Sequence, residues 1–380
     1  MPKQRGMSGT RVIAWGAYDD SKPRVRLLLD ALRRRDAVRA EIRIDAWRGI
    51  EDKSVAGPLR LVKAALVLLA SYPMALVRLL AQPRGSAILL AYPGIPDIFV
   101  VALFAWLRGD RIVLDAFLPL HDTIVRDRRM VRDGGLAAGL IRAVERYGLR
   151  LADVILVDTD QHGAFFAEAF GIDPGRFVTV LVGAEPLFSQ APQVPLPFAV
   201  PSDLPIVLFY GQLIPLHGVA TILEAIRLTE GEPFHWIIVG RGQDEPLLAA
   251  ALAESRIDQV TWIPWVDYAT LPALIARATI CLGVFGASDK AGRVIPNKVF
   301  QALAAGKPVI TRAGPAVDAL AARFPDTIAT VPADDPASLA AAVRRTIGDS
   351  GGRSALPAAA LQELAPDAGV DDLLRRLGAA

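Results

Sequence analysis

The segment at residues 283–311, GVFGASDKAGRVIPNKVFQALAAGKPVIT, combines glycines, cations and the start of a helix. Pro296 suits the first helical position, where its missing N–H costs nothing, and Gly306 suits the residue just past the helix end. The backbone amides of Asn297 and Lys298 would then stand at the positive terminus of the helix. This segment predicts a site for a phosphate or diphosphate.

Three cations accompany that helix start, namely Lys290, Arg293 and Lys298. The apolar spacing inside the helix leaves Gln301 to face the loop side, where its amide could hydrogen-bond a ribose hydroxyl. A glycine-rich loop with solvated charges is the competing interpretation, and the residues alone leave both open.

A second loop follows the apolar run that ends at Tyr210, in YGQLIPLHGVATILEAI. Gly211 allows a backbone to approach a ligand closely, and Gly218 opens a helix whose amides can face phosphate. His217 lies between them, either as a functional side chain or as an incidental loop histidine.

A third glycine turn, Gly240-Arg241-Gly242, follows the next strand. Glu245 occupies the place of the third glycine of G-x-G-x-x-G, which argues against a dinucleotide fingerprint.

In the first half of the chain, LDAFLPLHDTIVRDR places Asp115 directly after a strand and His121 and Asp122 a few residues later. These side chains could act as a general base or bind an acceptor hydroxyl. A helix cap at Asp122 and a surface histidine explain the same residues equally well.

Short apolar strands alternate with helical patterns along most of the chain, which predicts an α/β fold with two doubly wound, parallel-sheet domains facing a cleft. We expect an acceptor-side domain over residues 1–188, a proline-rich linker over 189–205 and a nucleotide-binding domain over 206–353. Residues 354–380 are expected to be a helical tail packing back on the first domain. Ligands of such sheets bind at the carboxyl ends of the strands, where the glycine loops lie.

The composition excludes several classes of function. Lys plus Arg number 42 and Asp plus Glu number 40, so no overall positive field indicates nucleic acid. Cys281, the single cysteine, indicates a buried thiol of a reduced, cytoplasmic chain. No metal cluster is evident, since the D-x-D of Asp158 and Asp160 indicates a strand end with a helix cap. The first ten residues lack the apolar region of a secretory signal.

The segment over residues 59–80 is apolar nearly all round, with basic residues at its ends. A helix lying on a membrane surface fits this pattern, as does a pair of core helices bent near Pro73. The chain is accordingly expected in the cytoplasm, and in the first case at the inner face of the cell membrane.

Four motifs in order resemble those of the retaining GT-B glycosyltransferases of family 4. GQLIPLHGVATILEAI is similar to the family's G-R-L-x-x-x-K-G segment, and IIVGRGQDEP to its glycine turn. VTWIPWV is similar to its V-x-F-x-G-x-V segment, and PNKVFQALAAGKPVI to its helix ending in A-x-G-x-P-V-I. The resemblance covers most of the chain and is strongest in the second domain.

The chain departs from the family at four positions. Gln212 and His217 stand where the family has the arginine and lysine that contact the donor diphosphate, and Arg293 and Gln301 replace its two glutamates. Arg293 and Lys298 could supply the lost positive charge.

The resemblance implies that Gln301 binds ribose and that the loop of Trp265 and Val266 holds the base. It also implies transfer of a sugar, with retention and without a metal, from a UDP- or GDP-linked donor to a glycan or lipid-linked acceptor in cell-surface polysaccharide or glycolipid biosynthesis. Helix dipoles and cations would stabilise the leaving group. A sugar-nucleotide 2-epimerase and a nucleotide-sugar-binding subunit without activity are the alternatives.

Overall fold

A computed structural model of the chain describes residues 11–47, 58–190, 192, 194–254, 259–349 and 356–378. The chain divides into two compact units, the first comprising residues 1–123, 131–182 and 365–380 and the second residues 124–130 and 183–364. The first ten residues, expected to carry no signal, and residues 354–355 and 379–380 of the expected tail lie outside the described residues.

The first unit contains a sheet of six parallel strands in the order β2-β1-β3-β4-β5-β6. The inner strands are unbroken apolar runs, such as AILL and VILV, because helices cover both faces of the sheet. The strands are β1 Val12–Gly16, β2 Val38–Arg43, β3 Ala87–Leu90, β4 Arg111–Asp115, β5 Val154–Val157 and β6 Phe177–Thr179.

In the part of the chain that the structure describes, five α-helices connect these strands. They are α1 Pro23–Arg34, α2 Pro58–Leu80, α3 Ile95–Arg108, α4 Leu136–Leu151 and α5 Asp160–Phe170. Helices α2 to α5 cover one face of the sheet, where Leu79, Ile98, Leu149 and Phe166 enter a common core. Helix α1 covers the other face.

Helix α2 is continuous over 23 residues and has Pro73 inside it, so the alternative of two core helices was wrong. By length and composition alone, its stretch Val62–Leu80 is sufficient to cross a membrane. Only 17% of its most apolar 18 residues are buried. This helix therefore differs from an ordinary core helix, which is mostly buried.

The second unit repeats the architecture with parallel strands in the order β12-β11-β10-β7-β8-β9. They are β7 Ile206–Tyr210, β8 His235–Val239, β9 Val260–Ile263, β10 Ile280–Leu282, β11 Val309–Arg312 and β12 Ile328–Val331. Cys281 is buried in β10, and burial raises the pKa of its thiol to about 12. The thiol is thus an inert part of the core.

The helices of the second unit are α6 Val219–Leu228, α7 Glu245–Glu254, α8 Leu271–Arg277, α9 Asp289–Arg293, α10 Asn297–Ala304, α11 Pro315–Arg323, α12 Pro336–Gly348 and α13 Ala358–Glu363. Both units are therefore doubly wound α/β sheets, which confirms the predicted fold class.

The last helix, α14 Asp367–Gly378, returns to the first unit and packs against α1 and β6. Arg35, which follows α1, pairs with Asp367 (2.7 Å) and Asp371 (2.5 Å), while Val370 and Leu373 enter the core beneath. Apolar packing and ion pairs together hold the end of the chain on this unit.

Candidate functional site

Two loops at the carboxyl ends of β7 and β8 are joined by backbone hydrogen bonds. The amide of Gly211 donates to the carbonyl of Val239 (2.9 Å), and the amide of Leu213 donates to that of Arg241 (2.8 Å). The amide of Asp244 returns a bond to Leu213 (2.9 Å). The glycine turns found in the sequence thus form one continuous wall.

Gly240 and Gly242 make this approach possible. A Cβ at Gly240 would lie 1.9 Å from the carbonyl oxygen of Gly211, and one at Gly242 would lie 2.4 Å from that of Leu213. Their φ angles of 146° and 156° also disfavour side chains. These two glycines therefore allow the two loops to pack closely, a structural role that does not depend on contact with a ligand.

Gly218 joins the same wall to the loop that follows β10. It adopts a left-handed φ of 67° before α6, and an added Cβ would lie 2.6 Å from the backbone carbon of Phe285. The amide of Phe285 donates to the carbonyl of His217 at 3.1 Å. His217 is consequently fixed between two strand ends.

The amine of Lys298 reaches this wall from α10. Its Nζ would lie 3.2 Å from a Cβ at Gly211 and stands 3.9 Å from the centroid of the Phe209 ring. The residue is 6% exposed and its Nζ has no hydrogen-bond partner. Burial lowers the pKa of Lys298 well below its usual value, because the charged form loses its hydration.

The ring of His217 lies beside that amine, 3.3 Å from the same Cβ position at its Cε1. Its Nδ1 faces the carbonyl oxygen of Gln212 and must donate to it, since a carbonyl only accepts. Burial and the Lys298 charge lower the pKa of His217 well below its usual value. The neutral ring then presents Nε2 as an acceptor.

Gln212 stands where the resemblance expects an arginine, and an arginine reaches it from elsewhere in the second unit. The guanidinium of Arg128 donates to the Gln212 Oε1 at 3.1 Å. Arg128, Lys290 and Lys298 all lower the pKa of His217, so their positive charges converge on this loop. Arg128 was missed in the sequence, because 84 residues separate it from Gln212.

Lys290 and Arg293 both lie on the short helix α9. The amine of Lys290 is buried and paired with Asp127 at 3.0 Å, while the second carboxylate oxygen of Asp127 has no hydrogen-bond partner. Arg293 is half-buried at the end of α9. Asp127 was also missed, since nothing in the sequence signals a contact across 163 residues.

Gln301 is buried in a chain of polar side chains. The hydroxyl of Tyr210 donates to the Gln301 Oε1 (3.1 Å), and Nε2 donates to the hydroxyl of Tyr268 (3.1 Å). Tyr268 in turn donates to the carboxylate of Glu185. An amide has two N–H groups and two lone pairs, so these bonds use half its capacity.

Pro296 is the residue before α10, with extended backbone angles, so its predicted place inside the helix was wrong by one residue. Asn297 is the first helical residue, and the amides of Asn297 and Lys298 belong to the first turn, whose N–H groups lack partners within the helix. Gly306, with φ 69°, follows the C-terminal cap. The anion-binding geometry of the helix start is retained.

The remaining predicted donor-site residues lie at the other strand ends. Trp265 follows β9 and is 61% exposed, Val266 beside it is half-buried, and Arg241 after β8 is exposed. Strand β9 is at the edge of the sheet, two strands from β7. An exposed indole at the rim of the site is available to stack on a flat ligand.

A cavity of about 560 Å³ adjoins the start of α6. Gly218, Thr221, Asp127 and Ser288 are among the residues that line it. The volume is in the range of small-molecule sites. Gly218 belongs both to this cavity and to the loop that carries His217.

In the first unit, His121 and Asp122 are buried at 8% and 3% exposure. The amides of Leu120 and His121 donate to the carboxylate of Glu145, whose pKa burial raises to about 7. His121 is therefore not the surface histidine of the alternative interpretation. Glu145 was missed because it comes from the middle of α4.

Asp115 is fully buried in a bidentate contact with Arg24, whose Nη2 lies 2.8 Å from its Oδ1. The ion pair gives this aspartate a structural role.

Thr159 caps α5, and Asp158 binds the Nδ1 of the buried His162. Among the described residues, no group of three or more His, Cys, Asp or Glu side chains could hold a metal. Independence from metal stays a prediction.

Residues 204–349 match the family model described as Glycosyl transferases group 1. The fold is similar to that of sucrose-phosphate synthase from Thermosynechococcus elongatus, with a TM-score of 0.70 and 17% identity over 97% of this chain and 99% of that one. It is also similar to Anabaena Alr3699/HepE in complex with UDP (TM-score 0.58, 12% identity, 97% and 95% covered) and to a glycosyltransferase from Rickettsia africae (0.57, 12%, 97% and 95%). The chain is a glycosyltransferase of the GT-B fold.

A comparison with the curated proteins found no match. The structural neighbours establish the fold across both units of this glycosyltransferase, and the family model marks its second unit. Every predicted donor-site residue lies within residues 204–349, as does Arg293. His121 and Asp122 lie outside that match.

Proposed function

We propose that this glycosyltransferase, a member of the retaining family 4, transfers a sugar from a UDP- or GDP-linked donor to a glycan or lipid-linked acceptor. The reaction uses no metal and contributes to cell-surface polysaccharide or glycolipid biosynthesis. The unpartnered, buried amine of Lys298 beside Gly211 carries the proposal, because a diphosphate would give that amine the partner it lacks.

Charge at the loop after β7 supports a diphosphate there. Lys298, Arg128 and Lys290 raise the positive potential around His217, and the helix α10 adds its N-terminal dipole. In this proposal Arg128 takes the part of the arginine that Gln212 replaces. Cations held in place before the reaction stabilise the charge that develops on the leaving diphosphate.

The nucleoside is assigned to two further residues. Gln301 retains a second amide hydrogen for a ribose hydroxyl while its first stays on Tyr268. The exposed ring of Trp265 stacks on the base, with Val266 beside it. Anabaena Alr3699/HepE, which shares the fold, is in complex with UDP, and a uracil nucleotide is therefore the first to test.

The acceptor is assigned to the first unit. The buried pair His121 and Asp122, held by Glu145, is proposed to bind or deprotonate an acceptor hydroxyl. Arg293 is proposed to contact the transferred sugar. The apolar, exposed residues 59–80 are proposed to bring the enzyme to the inner face of the cell membrane, where lipid-linked acceptors are found.

Isothermal titration with UDP, GDP, ADP and dTDP tests the donor class. One nucleotide is expected to bind, and Lys298→Ala should weaken it at least about tenfold, as loss of a charge-assisted hydrogen bond does. Lys307→Ala, in a half-buried lysine of the same unit, is the control. Unchanged affinity in Lys298→Ala would remove the proposed phosphate site, and binding without turnover of any sugar donor would support the inactive subunit.

A further inference from the structure

Helices α2, α3 and α4 form one continuous outer layer on the first unit. All three pack on the same face of the sheet, with α3 in contact with both neighbours. The Tyr72 hydroxyl of α2 donates to Asp97 of α3 at 2.8 Å, and Gly148 of α4 lies against Ile98 of α3. Their outward sides therefore form a single surface, here called the α2–α4 surface.

This surface is unusually apolar. Fifteen of the twenty-one large apolar side chains that are exposed in the described residues lie on these three helices. They include Leu59 at 84%, Leu69 at 68%, Trp106 at 76% and Leu136 at 96%. Soluble proteins rarely expose contiguous apolar surface on this scale without a binding role.

The charges on the α2–α4 surface have one sign. The two acids of the three helices, Asp97 and Glu145, are buried and hydrogen-bonded to backbone amides. Every charged residue that the structure describes as exposed on these helices is basic. The exposed cations are Arg60, Lys63, Arg78, Arg142, Arg146 and Arg150.

Helix α2 lies on the unit and does not leave it. The indole of Trp15 donates to the carbonyl of Ala75 at 3.1 Å, and Ala75 and Leu79 are buried in the core. Crossing a bilayer would break these contacts. The helix is suited to lie in the plane of an interface with its outer side chains among lipids.

We infer that the α2–α4 surface docks on a lipid bilayer that carries anionic headgroups. Leu, Val and Trp side chains enter the headgroup and acyl boundary, while the arginines and lysine reach phosphates around them. The positive charge of the α2–α4 surface favours an anionic bilayer over a second copy of the chain, because two identical cationic surfaces repel. The inference rests on the membrane contact proposed for residues 59–80 and extends that contact to three helices. It does not depend on the proposed donor.

Flotation with vesicles tests the inference on the full-length enzyme. Vesicles of phosphatidylcholine with about 30% phosphatidylglycerol, which carry a negative surface potential, are compared with pure phosphatidylcholine. The enzyme is expected to float with the anionic vesicles. Flotation should be at least about tenfold lower with neutral vesicles, and also in about 0.5 M salt, where the Debye length is roughly half its physiological value.

Two matched double variants distinguish binding through the α2–α4 surface from nonspecific adsorption to vesicles. Leu103→Glu with Trp106→Glu should abolish flotation, whereas Leu204→Glu with Leu228→Glu, exposed leucines of the second unit, should leave it intact. Melting temperature and UDP affinity should be unchanged in both. Flotation that survives the first pair, or no flotation of the parent enzyme, would overturn the inference, as would a dimer in light scattering that the first pair dissociates. Loss of UDP binding alone would count only against the donor proposal.

Discussion

The substitution Lys298→Met should make the protein more stable and a weaker nucleotide binder. The Lys298 amine is buried, lacks a hydrogen-bond partner and faces the ring of Phe209 at 3.9 Å. Methionine has a similar length, no polar hydrogens and favourable contacts with aromatic rings. The variant therefore removes an unsatisfied polar group while leaving the packing in place.

The magnitude follows from two opposing contributions. A buried polar group without a partner costs about 1–3 kcal/mol, while a cation near a ring returns about 0.5–2 kcal/mol and only in its charged form. Because burial lowers the pKa of Lys298, the cost outweighs the return. We expect Lys298→Met to gain about 1 kcal/mol in the free energy of unfolding and to bind UDP about 10- to 100-fold more weakly, the loss of one charge-assisted hydrogen bond.

The pH dependence has a definite sign. The pKa of Lys298 is lower in the folded protein than in the unfolded chain, where lysine titrates at about 10.4, so the unfolded state binds more protons between the two values. Stability of the parent protein accordingly falls as pH decreases through that window, by about 1.4 kcal/mol per pH unit. The Met variant lacks this contribution, and its advantage grows as pH is lowered from about 10.

Urea denaturation at several pH values and titration calorimetry with UDP measure both effects. Lys307→Met is the comparison, because Lys307 is half-buried and lies three residues past the end of α10. Burial lowers the pKa of Lys307 too, but less than that of Lys298, so its effect on the pH slope should be smaller and UDP affinity should be unchanged. UDP binding by the parent should also take up protons, seen as heats that depend on the buffer. A Lys298→Met protein that is less stable at every pH, with an unchanged pH slope, would refute the argument.

Three further substitutions test other parts of the site. Arg128→Gln should weaken UDP binding about tenfold or more in calorimetry at unchanged stability, and equal affinity would exclude the arginine from the diphosphate site. Lys290→Met should destabilise the protein by about 3 kcal/mol in urea, the opposite sign to Lys298→Met, because it leaves Asp127 buried and unpaired. Gly240→Ala should cost at least about 2 kcal/mol and reduce UDP affinity, because its Cβ meets the Gly211 carbonyl; a neutral effect would show that the loops can part.

The inner strands of both sheets and the edge strands β6 and β9 could be predicted from the sequence, whereas the edge strands β2 and β12 could not. Runs such as VILV in β5 are buried on both faces and stand out as apolar. Strand β2, VRAEIR, lies at the edge of the first sheet with most positions partly exposed, and β12 lies at the edge of the second. Half-exposed edge strands tolerate polar residues, so apolar runs did not reveal them.

The same limit applies to the site. A motif within one loop, such as the glycine turn at Gly240, could be recognised in the sequence because the residues that form a turn are neighbours in the chain. The partners of Lys290 and Gln212 were not, because Asp127 and Arg128 come from a distant segment with no motif of its own. Those two side-chain pairs are determined by tertiary contacts, which the sequence does not show.

The changes at the family's charged positions fit one another in the structure. Gln212 lacks the positive charge of the arginine that it replaces. Its side-chain oxygen accepts a hydrogen bond from Arg128, however, so a guanidinium from another part of the chain keeps a positive charge in the site. Two further basic groups, His217 and Lys298, both lie within 3.3 Å of the position that a Cβ at Gly211 would take, and two adjacent cations there would repel. Burial lowers the pKa of both groups, and the neighbouring cations lower that of His217 further, so both hold their protons more weakly than in water and a dianionic ligand would favour their protonated forms. Nucleotide affinity in this enzyme should therefore rise as pH falls, whereas a site built on the family's arginine and lysine would be charged throughout and show no such slope.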